Sequence, residues 1–193
     1  EAVDVVFSCS EVPYDIRVKM RGKSMPIADD VQIKFSELSY LKLTYYGFDG
    51  ESHNGEMVVN KKVAQDVVDI FKELYEKKFP IEKIQLVDDF NASDEESMKN
   101  NNTSAFNYRL ISGSSKLSNH SFGFAIDINP VQNPHVVNGK IPSITPEKCA
   151  NRANSELGMI HKYDACYNAF ISRGWSWGGF WKNPDYQHFE FIE

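Results

Sequence analysis

Two short segments that stand far apart in this chain have to meet, and that requirement constrains its fold more than any other feature. The first runs Ser118-Asn119-His120-Ser121-Phe122-Gly123-Phe124-Ala125-Ile126-Asp127, and the second Asp185-Tyr186-Gln187-His188-Phe189-Glu190. Together they supply two histidines and a carboxylate suited to ligate a metal, with a further carboxylate three residues before the second histidine. A catalytic zinc usually takes three protein ligands from His, Asp, Glu or Cys and leaves its fourth position to water. His120, Asp127 and His188 fill those places. Such a metal lowers the pKa of its water, and a nearby carboxylate must accept the proton as the water attacks a carbonyl. Asp185 is spaced for that work.

The local pattern agrees with this division of labour. Phe124, Ile126 and Ile128 alternate with Ala125, Asp127 and Asn129, the period of a strand that carries Asp127 on one face. Gly123 and Ala125 are small enough to let backbones approach closely near a metal. Asn183-Pro184 favours a turn just before Asp185. Glu190 competes for the role of base, but alternation puts it on the face of His188, where a carboxylate can fix the imidazole tautomer.

The pattern Ser118-x-His120-x-x-Gly123-x-Ala125-x-Asp127 followed by Asp185-x-x-His188 resembles the signature of a zinc peptidase family. That family includes D-alanyl-D-alanine carboxypeptidases, vancomycin-resistance dipeptidases and L-alanyl-D-glutamate endopeptidases. The likeness extends to Phe48-Asp49-Gly50, Gly55-Glu56-Met57-Val58-Val59-Asn60, the run from Asn101 to Arg109, and Gly174-Trp175-Ser176-Trp177-Gly178-Gly179-Phe180-Trp181. It implies a Zn2+ cofactor held by His120, Asp127 and His188, with Asp185 as general base and Arg109 stabilising the oxyanion. Ser118 would orient the site or its substrate, and Trp181 would wall the cleft, while Trp175 and Trp177 are read as core aromatics.

The resemblance also implies an α+β fold with a small antiparallel sheet and flanking helices, similar to that of the cell-wall peptidases and the Hedgehog signalling domain. The implied substrate is the stem peptide of bacterial peptidoglycan, which would place the protein outside the cytoplasm, in the cell envelope or periplasm. Several relatives have Glu where this chain has Asp185, a departure similar to the endopeptidase branch. The rival reading is a non-catalytic, zinc-containing module that binds the cell wall, because one fold serves many functions. Three ligands rather than four, together with a retained base, favour the enzyme.

A chain of 193 residues supports one sizeable core. The expected organisation is a zinc peptidase domain over 41–193 and an N-terminal extension, 1–40, packed on it or preceding it. A net charge of −6 provides no basic footprint for nucleic acid. No stretch approaches the roughly 20 apolar residues of a membrane-spanning helix. Cys9, Cys149 and Cys166 leave an odd thiol, and Cys149 with Cys166 could close a small loop in an oxidising compartment.

Strands are expected at 3–7, 16–20, 41–46 and 84–87. Val63, Val67, Ile70, Phe71 and Leu74 recur at helical spacing, which predicts a helix over 61–78 capped by Asn60 and stopped by Pro80. The stretch 88–102, with Asp94-Glu95-Glu96, reads as a solvated loop. A long Pro- and Asn-rich loop over 129–146 emerges beside the first ligands and is placed to shape substrate choice. A second helix is expected over 163–172, closed at Gly174. His53, His135 and His161 read as surface or hydrogen-bonded histidines.

Overall fold

The computed structural model describes residues 3–192. In chain order the elements are β1 (Phe7–Glu11), α1 (Tyr14–Met20), β2 (Leu38–Tyr46), β3 (Ser52–Asn60), α2 (Ala64–Glu76), β4 (Lys83–Ile84), α3 (Asp94–Lys99), β5 (Asn102–Thr103), β6 (Ala125–Asp127), the single turn α4 (Glu147–Ala150), α5 (Ala165–Ile171), β7 (Ser176–Trp177) and β8 (His188–Glu190). The order is α+β. β1, β2 and β3 form an antiparallel meander, and β6, β8 and β7 form a second small antiparallel sheet with β8 at its centre. No helix among the described residues is long and apolar enough to cross a membrane.

β2 and β3 are buried on both faces, and their pairing explains how. Leu41 faces Met57 and Tyr40 faces Val58, and alternate residues of a strand point to opposite sides. One side sends Leu41, Leu43, Met57 and Val59 into the main core, against Val67, Ile70, Phe71 and Leu74 of α2. The other sends Leu38, Tyr40 and Val58 into a second cluster with Val12, Ile16, Met20, Leu86 and Phe106. The first forty residues thus supply an edge strand and a hydrophobic layer to this sheet. Full burial of one such Phe or Leu side chain is worth about 1.5–3 kcal/mol.

Several local expectations are corrected. Residues 3–6 are not a strand, and pairing begins at Phe7. Residues 16–20 are helical in α1, where Ile16 and Met20 are buried one turn apart and Val18 is exposed. α2 starts only at Ala64, because the Asn60 side chain accepts from Lys62 N and donates to the Phe122 carbonyl. The strand expected at 84–87 shrinks to Lys83–Ile84, and Val87 already begins a 3₁₀ turn. The acidic stretch contains α3, capped by the Ser93 hydroxyl on Glu96 N. Cys9, Cys149 and Cys166 are all free thiols, so no bridge joins Cys149 to Cys166.

Candidate metal centre

One strand pair builds half of the centre. β6 and β8 run antiparallel with Asp127 directly opposite His188 and Ala125 opposite Glu190. Facing residues of this kind have Cβ atoms roughly 4.5–5.5 Å apart on the same side of the sheet. Asp127, His188 and Glu190 therefore share one face, while Ile126 and Phe189 point the other way into the core and are fully buried. The side chain of Phe189 stacks on Phe170 of α5 with centroids 4.1 Å apart, which fixes β8 from behind.

His120 arrives from the 3₁₀ turn Asn119–Phe122. Its backbone N–H donates to the Ser118 hydroxyl at 3.3 Å, so Ser118 caps the turn that carries His120. Gly123 ends the turn at a φ of 73°, and its carbonyl accepts from Asn60 N at 2.9 Å. A Cβ at Gly123 would lie 2.3 Å from Asn60 N. Both the positive φ and the close approach demand glycine here.

The hydrogen-bond pattern around the imidazoles decides what the cluster can hold. His120 Nδ1 lies 2.6 Å from the Ala105 carbonyl, which can only accept, so Nδ1 carries the hydrogen and Nε2 is left with its lone pair. That Nε2 is buried without a hydrogen-bond partner and lies 3.1 Å from Asp127 Oδ2. The two atoms approach this closely only if a cation, a proton or a metal ion, lies between them.

On the other side Asp127 Oδ1 lies 2.8 Å from His188 Nδ1. His188 Nε2 lies 3.2 Å from Glu190 Oε2, and Asn119 Nδ2 donates to the same oxygen at 2.7 Å. Burial opposes a charge on His188, yet the Asp127 and Glu190 carboxylates, with Asp185 beyond them, raise its pKa to about 10. Burial likewise opposes the Asp127 carboxylate, but His120 and His188 hold it well below the usual range. Without a metal the cluster thus retains a proton where a cation is wanted.

One ligand atom from each of His120, Asp127 and His188 lies within 4.8 Å of the others, the spread of a single ion site. Two imidazoles and a carboxylate are a donor set that zinc accepts. Among the described residues this is the one such group, and it has three members, the number found in catalytic zinc sites rather than the four of structural ones.

Asp185 stands beside the group rather than in it. Its N–H donates to the Gly178 carbonyl at 3.0 Å, and a Cβ at Gly178 would lie 2.7 Å from the Asp185 carbonyl oxygen. Burial, and then the charge of Asp127, raise its carboxyl to about 6, against the opposing pull of His188, His135 and the Gln187 amide. Its Oδ1 is buried and accepts no hydrogen bond of good geometry from the protein. Glu190 is already committed to His188 and Asn119, which leaves Asp185 as the carboxylate free to accept a proton.

These residues line one cleft of about 580 Å³. Met98, Ile111, Val137, Pro142, Ile144 and Trp181 give it apolar walls. Trp181 is 42 % exposed, with its ring centroid 5.2 Å from that of His188. Trp175 and Trp177 are buried in the core. Arg109 also lines the cleft, where its guanidinium pairs with Asp94 at 3.1 Å and its Nε is buried without a partner.

Two features are absent from the sequence reading. His135 reaches the cleft and lies 3.8 Å from Asp185. The foot of its loop is held by a buried polar knot: Asn133 donates to the Gly158 carbonyl at 2.9 Å and accepts from Ile160 N at 2.8 Å, and Arg152 donates to the Ile160 carbonyl at 2.6 Å. Single polar residues in an aperiodic loop give no pattern by which to find them.

Residues 112–191 match the family model described as D-alanyl-D-alanine carboxypeptidase. Over this segment the chain is similar to that family, whose members are zinc peptidases. The matched stretch contains His120, Asp127, Asp185, His188 and Glu190, and its boundary falls just after Arg109. Comparisons with curated proteins and with solved structures give no match.

Proposed function

We propose that this protein hydrolyses a peptide bond in the stem peptides of bacterial peptidoglycan, with zinc as its cofactor. The observation that carries the reading is the unpartnered His120 Nε2 facing Asp127 in a three-member cluster beside a free, buried carboxylate. When bound by His120 Nε2, Asp127 and His188 Nδ1, zinc supplies a Lewis acid that activates water and polarises the scissile carbonyl.

The chain's own groups do the rest. Asp185 takes the proton of the attacking water on Oδ1 and returns it to the departing amine. Arg109, through its unpartnered Nε, donates to the oxygen on which negative charge develops. The Ala105 carbonyl and Glu190 hold the two imidazoles in the tautomers that leave Nε2 of His120 and Nδ1 of His188 facing Asp127. Ser118 keeps His120 in place, and Trp181 shields the cleft beside His188.

We read the fold as the one shared by cell-wall peptidases and the Hedgehog signalling domain; the support is the antiparallel β6–β8 pair that sets Asp127 against His188. The proposed location is the cell envelope or periplasm, where the substrate is. Asp185, where several relatives have Glu, favours L-alanyl-D-glutamate cleavage over removal of the terminal D-alanine.

Mass spectrometry of purified peptidoglycan after incubation with the zinc-loaded protein tests this, with a chelated control and His120→Ala alongside. New termini that appear only with zinc establish the peptidase, and their masses locate the bond. Stoichiometric zinc with no cleavage would instead make the chain a cell-wall binding module.

A further inference from the structure

The loop that leaves β6 turns back to the cleft and pairs with the segment that carries Asp185. Val136 N donates to the Pro184 carbonyl at 2.7 Å and Tyr186 N to the Pro134 carbonyl at 3.2 Å. His135 and Asp185 are thereby antiparallel partners, directly opposite one another. A one-residue slip in such a pairing would turn either side chain to the other face. Asp185 is pinned from its far side by Gly178, and the foot of the His135 loop by the Asn133 and Arg152 knot.

The two oxygens of Asp185 are left unequal. Oδ2 lies 3.8 Å from His135 Nδ1, whereas Oδ1 is buried with no partner. Arg109, which also lines the cleft, pairs with Asp94 rather than with Asp185. A separation of 3.8 Å is too long for a hydrogen bond in the substrate-free protein. Contacts of this kind are often loose before substrate binds and tighten in the complex.

We propose that His135 is a positioning residue, which holds Asp185 by Oδ2 and so turns Oδ1 toward the place where a water proton is taken up. The inference rests on the reading of Asp185 as the general base. His135 is 44 % exposed at its side chain, so its replacement leaves the core intact.

The test uses the zinc-loaded full chain as wild type, His135→Ala and His135→Asn; the asparagine amide nitrogen takes the place of the imidazole Nδ1. Three-bond NMR couplings across χ1 of Asp185 report whether its side chain is held in one rotamer. Cleavage of purified peptidoglycan stem peptides gives kcat and KM separately. One Asp185 rotamer is expected in wild type and His135→Asn, and averaged couplings in His135→Ala. On stem peptides kcat should fall about ten- to a hundredfold in His135→Ala, the scale of a small misplacement, with KM and zinc content unchanged and most activity restored in His135→Asn. Unchanged couplings and unchanged kcat in His135→Ala would overturn the role. If wild type cuts no stem peptide, the proposed function falls, and the couplings alone decide whether His135 orients Asp185.

Discussion

Replacing Asp185 by Asn should make the metal-free protein more stable while removing its activity. The carboxyl is raised from 3.8 to about 6 by burial and by Asp127, so the folded state prefers it protonated. Stability from that preference is fully present below the unfolded value and is lost as pH rises through about 6. Above that pH the folded protein carries a buried charge that costs on the order of 2–3 kcal/mol, at 1.36 kcal/mol per pKa unit. Asn keeps the shape and never ionises. The metal-free variant should therefore melt roughly 4–12 °C above wild type at pH 7.5, using 2–4 °C per kcal/mol for a domain of this size, and the gap should close toward pH 4. Because Asp185 lies outside the His120–Asp127–His188 group, zinc content should be unchanged, yet turnover should drop about 10²–10⁴-fold, the contribution of a general base. Calorimetry from pH 4 to 8 and peptide hydrolysis by the zinc-loaded proteins measure the two halves. A variant no more stable than wild type at pH 7.5, or one that retains full turnover, would refute the placement of Asp185 as a strained, buried base.

Glu190→Gln should fold normally but bind zinc about 10–100-fold more weakly in chelator competition, because a carboxylate that fixes a ligating imidazole typically contributes that much. Gly123→Ala forces a Cβ to 2.3 Å from Asn60 N at a φ of 73°; a loss of about 1–3 kcal/mol or more in urea unfolding is expected. The acid limb of kcat/KM should lie below about pH 6, since the positive charge of a bound metal draws the Asp185 carboxyl down from its metal-free value. A limb at pH 7 or above in a pH–rate profile would assign the base to another group.

What could be read from the residues was what repeats. Ile126 and Phe189 face the core and Asp127 and His188 the cleft, as alternation required, and Val67, Ile70, Phe71 and Leu74 line α2 as their spacing required. The segment 16–20 misled because Ile16 and Val18 suit a strand, although Ile16 and Met20 also stand one helical turn apart, and burial of that pair decides the matter. Ser93 three residues before Glu96 is the spacing of a capping box, and the structure places the cap of α3 there, within a stretch whose acidity suits a solvated loop. His135 carried no signal: only the backbone pairing of its loop with Pro184 and Tyr186 puts it beside Asp185. Nor could spacing show that Ala105, far from the ligands in sequence, supplies the carbonyl that sets the tautomer of His120.

The most direct measurement is X-ray absorption at the zinc edge of the reconstituted protein. One zinc per chain is expected, with nitrogen and oxygen neighbours at about 2.0–2.2 Å, two of them imidazoles, and one imidazole signal lost in His120→Ala. Sulfur neighbours at about 2.3 Å, from Cys9, Cys149 or Cys166, or a spectrum unchanged by His120→Ala, would contradict it.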